Sequence, residues 1–372
     1  QVYLKLIDKA LENDRDVIVL VPEISLTPQV LSIFHARYGD KVAVFHSGLS
    51  LGERNDEYKR ADRGEAKIVI GTRSAVFAPL HNLGLIIMDE EQENTYKSER
   101  TPKYNTKDVA HFRCKYNKAL FLMTSATPSL ETYSNALKGK YVLCELNERF
   151  GDAKLPHVIT VDMKQEMKNG NKSPISSKLK ELISETIDNG KQAILLINRR
   201  GYNTFIACND CGHVITCPNC SISLTYHSTN NRLTCHYCGY TKSLDNVCPE
   251  CHSENIRYSG YGTQKIEDEL SYLFPNARIL RMDADTTSAK FSHEKLFNAF
   301  ANHEYDIMIG TQMVAKGLDF DNVTLVGVVN ADNSLYDESY NSAERCFDLI
   351  TQVVGRSGRR DGNGKAVIQT IN

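Results

Sequence analysis

The feature that most limits how this chain folds is a dense run of paired cysteines near its middle. The stretch CNDCGHVITCPNC, residues 208–220, contains two C-x-x-C pairs separated by five residues, and two further pairs follow at 235/238 and 248/251. Thiols paired at this spacing form tight knuckles that direct both sulfurs to one point, as in four-cysteine zinc ribbons. The sequence therefore predicts a small module organised by metal.

The order of the pairs along the chain predicts how they group. The pairs 217/220 and 235/238 are separated by 14 residues, which matches a zinc ribbon. Nested grouping, inner pair with inner and outer with outer, is favoured over sequential grouping because five residues leave little room for a ribbon between the first two pairs. Sequential grouping and eight thiols without metal are the alternatives. The expected ligands of two Zn²⁺ are Cys208, Cys211, Cys248 and Cys251 for one ion and Cys217, Cys220, Cys235 and Cys238 for the other.

Other candidate ligands lie near the cysteines or alone. Eight thiolates already fill two tetrahedra, so the neighbouring histidines are expected to be bystanders: His213, His236 and His252. The isolated cysteines are expected to act as small buried hydrophobes: Cys114, Cys144 and Cys346.

Composition limits the class of protein. The chain has 372 residues, of which 41% are hydrophobic and 24% charged, enough for two or three domains with sizeable cores. No apolar run approaches the roughly 20 residues of a membrane span, and the first residues form an amphipathic helix pattern rather than a signal peptide, so a cytoplasmic protein with reduced thiols is expected. The net charge of −2 means that any contact with nucleic acid must come from local patches.

Short apolar strands in two series predict α/β architecture with parallel sheets. The first series is DVIVLV (16–21), KVAVF (41–45), AKIVIGT (66–72), LGLIIMDE (83–90) and ALFLMTSAT (119–127). The second is QAILLINRR (192–200), ARILRMD (277–283), YDIMIGT (305–311), VTLVGVVNAD (323–332) and KAVIQT (365–370). The cysteines interrupt the second series. The expected divisions are a first lobe at 1–147, a linker and the start of the second lobe at 148–204, the cysteine-rich module at 205–257 and the rest of the second lobe at 258–372, with a polar loop at 163–177.

Several strand ends carry motifs of an ATP-driven motor. In LIIMDEE, Asp89 would hold Mg²⁺ and Glu90 would orient the attacking water. TSAT (124–127), GTRS (71–74), IGTQMVAKGLDF (309–320) and QVVGRSGR (352–359) complete the set of superfamily 2 helicase motifs. Arg356 and Arg359 would act as arginine fingers on the γ-phosphate. The residues expected to contact DNA phosphates through backbone N–H groups, hydroxyls or charge are Thr72, Arg73 and Thr311.

These motifs are part of a longer series of stretches that resemble one protein family. The stretches are VPEISLTPQ (21–29), GTRSAVFAPL (71–80), MDEEQENTYKSERTPKYNTKDVA (88–110), TSATPSLET (124–132), LLINRRGY (195–202), GYGTQKIEDEL (260–270) and ERCFDLITQVVGRSGR (344–359). Together with the eight cysteines they resemble the bacterial primosomal replication-restart helicases over essentially the whole chain.

The resemblance implies two RecA-like motor lobes with a two-zinc module inserted in the second. It implies an ATP- and Mg²⁺-dependent 3′→5′ DNA helicase that recognises stalled or collapsed replication forks and initiates primosome assembly. The implied partners are single-stranded and forked DNA, single-stranded DNA-binding protein, and primosome and replicative-helicase loader proteins. The resemblance also implies further site residues. Those expected to bind the nucleotide are Gln352, Gly317 and Asp319, and those expected to contact DNA are Tyr96 and Tyr104.

The sequence departs from the family pattern in two places. Gln92 and Asn94 stand where the family has the histidine of DEEH and, two residues later, a tryptophan, and the chain has no tryptophan at all. No G-x-x-x-x-G-K-[ST] phosphate-binding loop occurs, so the chain is expected to be a segment that lacks this loop and is inactive alone. The alternative is a scaffold that binds DNA and partners without hydrolysis. The intact acids and arginines favour the motor, and a restriction or remodelling translocase would leave the paired cysteines unexplained.

Overall fold

The protein consists of two compact units, Gln1–Cys144 and Glu145–Asn372. The computed structural model describes residues 1–22, 28–99, 101–148, 155–197, 204–208, 210–227, 232–235, 238–243, 247–254, 256–259, 263–282, 292–311, 314, 320–332, 335, 339–357 and 364–371. Within this part of the chain, no helix is long and apolar enough to cross a lipid bilayer.

The first unit is built on a five-stranded parallel sheet. Its elements in chain order are α1 (Val2–Glu12), β1 (Asp16–Leu20), α2 (Pro28–Tyr38), β2 (Val42–Phe45), α3 (Leu51–Asp62), β3 (Ile68–Gly71), β4 (Leu83–Met88), α4 (Thr106–Asn117), β5 (Leu120–Met123) and α5 (Leu130–Leu137). The strand order is β2-β3-β1-β4-β5, and every pairing is parallel. The carboxyl ends of β1 and β4 therefore lie side by side at the centre of the sheet.

Both faces of this sheet are covered, as continuous apolar strands require. Along β1, Ile18 and Leu20 pack into one buried cluster while Val17 and Val19 pack into another on the opposite face. Alternate side chains of a strand point to opposite faces, so a strand that is apolar throughout is stable only between two layers of helices. Helix α3 begins at a capping box in which Ser50 and Glu53 bond each other's backbone N–H groups.

The second unit contains a six-stranded parallel sheet. Its elements outside the cysteine-rich module are β6 (His157–Asp162), α6 (Met163–Lys168), α7 (Ser177–Asp188), β7 (Gln192–Leu196), α8 (Thr263–Leu273), β13 (Ile279–Met282), α9 (Ser292–Ala301), β14 (Ile307–Gly310), β15 (Val323–Val328), α10 (Ser342–Val354) and β16 (Lys365–Thr370). The strand order is β13-β14-β7-β15-β16-β6, again parallel throughout. The expected α/β class with two parallel-sheet lobes is confirmed.

The cysteine-rich module lies between β7 and α8 of the second sheet. It forms a separate antiparallel sheet of β8 (Thr204–Cys208), β9 (Thr225–His227), β10 (Arg232–Thr234), β11 (Thr241–Ser243) and β12 (Ile256–Ser259), in the order β11-β10-β9-β8-β12. Because β7 pairs with β14 and β15 on either side, the chain leaves the second lobe and returns to it. The predicted insertion within the second lobe is confirmed.

The region before β7 contains a helix and a strand that were not predicted from the sequence. The segment 163–177, predicted as a polar loop, begins with helix α6, whose N-cap Asp162 accepts from the Lys164 N–H at 2.8 Å. Strand β6 was not predicted, because it lies at the sheet edge with most residues exposed and therefore lacks the continuous apolar run of the other strands. The proposed domain boundaries stay predictions.

Candidate nucleotide and metal sites

The acid pair of the first unit stands at the carboxyl end of β4. The Asp89 N–H donates to the Leu20 carbonyl at 2.9 Å, which continues the ladder between β4 and β1 by one residue. Glu90 then adopts a φ of 48°, in the left-handed region that a residue with a side chain rarely occupies. This turn ends the strand and directs the chain away from the sheet, and backbone strain of this kind concentrates at functional sites.

Two hydroxyls hold one oxygen of Asp89. Tyr3, on α1, donates to Asp89 Oδ1 at 2.5 Å, and Thr124 donates to the same oxygen at 3.1 Å. Burial, together with the nearby Asp89 carboxylate, raises the pKa of Tyr3 above its usual range, so this phenol stays protonated as a donor. The arrangement fixes the orientation of the Asp89 carboxylate, because both hydroxyls donate to Oδ1 and neither donates to Oδ2.

Gln92 joins the acid pair to the TSAT motif. Its Nε2 donates to Glu90 Oε2 at 2.6 Å, and its Oε1 accepts from the Ser125 hydroxyl at 2.6 Å. The Ser125 hydroxyl in turn accepts from the Thr127 N–H at 2.9 Å. A glutamine amide has both a donor and an acceptor, so it makes this bridge without needing a particular protonation state.

The loop 94–105 is anchored to the acid pair by Tyr96. This side chain is 3% exposed, and its hydroxyl donates to the Asp89 carbonyl at 2.7 Å. Arg73 donates to the carbonyls of Thr95 and Lys97 at 3.4 and 3.2 Å. Tyr96, predicted to contact DNA, therefore lies inside the first unit and connects the loop to the strand end.

Tyr104 and Thr72, two further residues predicted toward DNA, have different surroundings. Tyr104 is half-buried and packs edge-on against Phe77, with ring centroids 5.0 Å apart. The Thr72 N–H donates to the Phe45 carbonyl at 3.0 Å, so this amide is already engaged within the sheet. A Cβ at the preceding Gly71 would lie 2.1 Å from the same carbonyl oxygen, which explains why glycine occupies that position. Of the two Thr72 groups expected to contact a DNA phosphate, the backbone N–H is therefore engaged within the sheet, and the hydroxyl is the one to which the expectation now applies.

The site residues predicted in the second unit are described in part. Gln352 lies in the last turn of α10, and Arg356 follows just after the helix end; both are half-buried. Thr311 directly follows β14 and is also half-buried. Three residues lie outside the described part of the chain: Gly317, Asp319 and Arg359.

The eight paired cysteines form two nested tetrads. One contains Cys208, Cys211, Cys248 and Cys251, and the other Cys217, Cys220, Cys235 and Cys238, with the sulfurs of each set within 4.8 Å of one another. The Sγ–Sγ distances include 3.5 Å for 208–251, 3.6 Å for 211–248 and 3.6 Å for 217–238. A tetrahedron of thiolates at about 2.3 Å from Zn²⁺ has edges of about 3.8 Å, so both sets fit a closed zinc site.

Each cysteine pair lies in the same backbone knuckle. The N–H of the residue after the second cysteine donates to the carbonyl of the first, at 2.9, 2.9, 2.9 and 3.0 Å for Gly212, Ser221, Gly239 and His252. These four residues all have positive φ, between 57° and 77°. The backbone N–H of Tyr240 also points at the Cys238 sulfur and lowers the pKa of this thiol, which favours the thiolate that a metal binds.

The residue after the second cysteine of each knuckle is expected to change the stability of the module in opposite directions when serine is replaced by glycine and when glycine is replaced by alanine. Ser221→Gly is expected to stabilise the module by about 0.5–1 kcal/mol, because a residue with a Cβ is strained in the left-handed region. Gly239→Ala is expected to destabilise it by about 1 kcal/mol, and a Cβ there meets nothing within 4 Å, so only conformational strain changes. Thermal unfolding of the two variants checks this, and shifts of the same sign would contradict it.

Sequence reasoning missed two contributors to the first-unit site. Tyr3 lies 86 residues from the acid it contacts, and no local pattern marked it. Glu91 was assigned no role from the sequence, although this residue is 4% exposed and its carboxylate pairs with Lys107. Its position directly after a buried strand was the available signal, because that part of a parallel sheet is enclosed by neighbouring loops.

Comparisons with known families agree with this layout. The chain matches the family DEAD/DEAH box helicase over residues 2–136, the PriA DNA helicase Cys-rich region (CRR) domain over 217–242, and the Helicase conserved C-terminal domain over 251–361. Among solved structures, the DUF1998 helicase MrfA bound to DNA matches 99% of this chain and 41% of its own, with a TM-score of 0.55 and 15% identity. Helicase Lhr of Mycobacterium smegmatis, bound to ssDNA and AMP-PNP, matches 96% of this chain and 40% of its own, with a TM-score of 0.50 and 14% identity. At these identities the likeness shows the fold.

Curated relatives match over the entire chain. The replication restart protein PriA of Bacillus subtilis is 51% identical over 370 residues, that of Synechocystis 45% over 381 residues and that of Chlamydia pneumoniae 43% over 375 residues. Each alignment covers 100% of this chain but only 46%, 46% and 50% of the relative. The chain thus spans about half the length of these relatives, and over all 372 of its own residues it is similar to the replication restart protein PriA.

Proposed function

We propose that the protein containing this chain is an ATP-dependent 3′→5′ DNA helicase that recognises stalled or collapsed replication forks and initiates primosome assembly. The observation that carries the proposal is the hydrogen-bonded assembly at the carboxyl end of β4. There the acid pair, the TSAT motif and the loop 94–105 all meet, through contacts to Asp89 and Glu90. Such an assembly suits an enzyme that couples nucleotide turnover to DNA, and the similarity of the whole chain to PriA supports the proposal.

In this proposal, each residue of the first unit has a distinct role. Asp89, oriented by Tyr3 and Thr124, presents its second carboxylate oxygen toward Mg²⁺. Glu90, held by Gln92, orients the attacking water. ATP with Mg²⁺, when bound, supplies the phosphoryl group whose transfer releases the free energy for movement. Because Gln92 bonds both Glu90 and Ser125, the glutamine preserves a link between the motifs, which favours hydrolysis over a non-hydrolysing scaffold.

The second unit supplies the remaining nucleotide contacts in this proposal. Arg356 and Arg359 act as fingers on the γ-phosphate, and Gln352, Gly317 and Asp319 contribute to nucleotide binding. The sequence has no G-x-x-x-x-G-K-[ST] loop to cradle the β- and γ-phosphates. We therefore propose that the 372 residues alone hydrolyse ATP at the background rate.

DNA and partner contacts are assigned from the chemistry of each residue and from its position at a strand end or in a loop. Thr311, the Thr72 hydroxyl and Tyr104 are the proposed contacts to the single strand. Arg73 and the buried Tyr96 hold the loop 94–105 in place. The cysteine-rich module, with two Zn²⁺, is proposed to separate the duplex and to bind partner proteins, among them single-stranded DNA-binding protein and primosome and replicative-helicase loader proteins.

Strand separation on defined substrates tests the helicase proposal. The natural full-length protein is expected to unwind a partial duplex with a 3′ single-stranded tail in the presence of ATP and Mg²⁺. It should leave the matched substrate with a 5′ tail largely paired, and a model fork should be unwound faster than a simple tailed duplex. Binding of these substrates with no ATP-dependent unwinding would support the scaffold instead, and equal unwinding of both tails would contradict the polarity.

A further inference from the structure

A buried carboxylate with no part in the proposed nucleotide chemistry follows the acid pair. The side chain of Glu91 is 2% exposed. An ionised carboxylate removed from water is strongly destabilising unless it is paired and hydrogen-bonded. The groups that satisfy Glu91 therefore show which parts of the fold depend on its charge.

All of these groups come from the first turns of two helices. Glu91 Oε1 accepts from the Ser129 N–H at 2.7 Å and from the Ser129 hydroxyl at 3.0 Å. Glu91 Oε2 accepts from the Thr132 hydroxyl at 3.0 Å and forms an ion pair with Lys107 Nζ. Lys107 Nζ also donates to the Thr132 hydroxyl at 2.9 Å, which closes the network.

These helices directly follow the two elements that contact the acid pair. Helix α5 begins shortly after the TSAT motif, and α4, which carries Lys107 in its first turn, begins directly after the loop 94–105. The Glu91 N–H also donates to the Thr124 carbonyl at 3.1 Å. A single carboxylate, adjacent in sequence to Glu90, thus joins the strand end, the TSAT segment and the base of the loop.

We propose that the Glu91–Lys107 pair is the joint through which the loop 94–105 positions Glu90 and the TSAT segment, so that DNA at the loop alters ATP turnover. This proposal rests on the proposed DNA-dependent ATPase function. A shift of the first turn of α4 moves Lys107, and because Lys107 and α5 share one carboxylate, the shift reaches Glu91 and its neighbour Glu90. Both residues are positioning residues, since neither touches the reacting groups.

The central test compares two lysine variants of the natural full-length protein. Lys107→Met is expected to lower the ratio of DNA-stimulated to DNA-free ATP turnover about tenfold, within the usual range of coupling between sites. Lys67→Met is the matched control, because Lys67 pairs with the buried Asp16 at 3.4 Å with similar exposure of both side chains, at the amino end of β1. The control is expected to lower the melting temperature comparably and leave the ratio unchanged.

Three further measurements separate positioning from a merely structural role. Lys107→Arg should restore most of the ratio. The double variant Glu91→Gln/Lys107→Met should lower the ratio no further than the Lys107 variant, because residues acting as a unit are not additive. Hydrogen exchange of the Ser129 amide, which donates to Glu91, should respond to added DNA in the native protein and not in Lys107→Met.

The outcomes distinguish the two proposals. If native turnover is stimulated by DNA and the Lys107 and Lys67 variants keep the same ratio, the joint is overturned while the ATPase function stands. If native turnover does not respond to DNA, both proposals fall. Should Lys107→Met not fold, Thr132→Val removes the hydroxyl shared by Glu91 and Lys107 while their charges stay paired, and an unchanged ratio in that variant overturns the joint.

Discussion

Replacement of Glu90 by glutamine is expected to lower ATP turnover in the natural full-length protein by about 10²- to 10⁴-fold, the usual contribution of a positioned acid or base. Glutamine has nearly the same shape, and its amide oxygen can still accept the hydrogen bond from Gln92. The negative charge that orients the attacking water is lost. Nucleotide and DNA affinity should change little. Steady-state phosphate release with saturating single-stranded DNA measures the effect.

Glu93→Gln provides the matched control. Glu93 lies in the same turn, where its N–H donates to the Glu90 carbonyl at 2.9 Å, but it is not placed in the site. Turnover of this variant is expected to stay within about threefold of the native value, as for most substitutions outside a catalytic site. A similar, small fall in both variants would remove Glu90 from the proposed mechanism and strengthen the scaffold alternative.

Loss of one cysteine tetrad is expected to release one Zn²⁺ and unfold the part of the module that it holds. In small zinc modules the metal contributes about 10–16 kcal/mol of folding free energy, far more than their small apolar cores supply. The double variant Cys208→Ser/Cys248→Ser removes two ligands from the same tetrad, so it should retain one Zn²⁺ per chain. Metal content by atomic emission and amide exchange across 217–242 report the result.

The same double variant separates nested from sequential grouping. If the pairs grouped in chain order, each substitution would damage a different site and both ions would be lost. Cys346→Ser is the control, since Cys346 is buried outside the tetrads and donates to the Ala331 carbonyl, a contact that a serine hydroxyl can replace. It should keep both ions.

Several features of this protein followed from sequence because they are local. Continuous apolar runs such as those of β1 and β7 require cover on both faces, which specified two parallel-sheet lobes before any contact was known. The spacing of the cysteines specified four knuckles, since two residues between thiols allow a single tight turn. Interruption of the second strand series located the module within the second lobe.

Other features depended on the tertiary structure, because they join residues far apart along the chain. The contact of Tyr3 with Asp89 spans 86 residues, and that of Ser129 with Glu91 spans 38. Residue type and spacing carry no information about such pairs. They arise only when parallel strands bring the ends of β1, β4 and β5 together.

Burial was the second property that only the structure decided. The family resemblance implied that Tyr96 contacts DNA, but its side chain is 3% exposed and its hydroxyl donates to the Asp89 carbonyl inside the fold. No burial of Glu91 was predicted from the sequence; it is buried because Lys107, Ser129 and Thr132 satisfy its charge. The sequence by itself determined the lobes, the knuckles and the candidate chemistry, and the tertiary structure decided which side chains contact the acid pair, since a polar group is buried only where distant partners replace water.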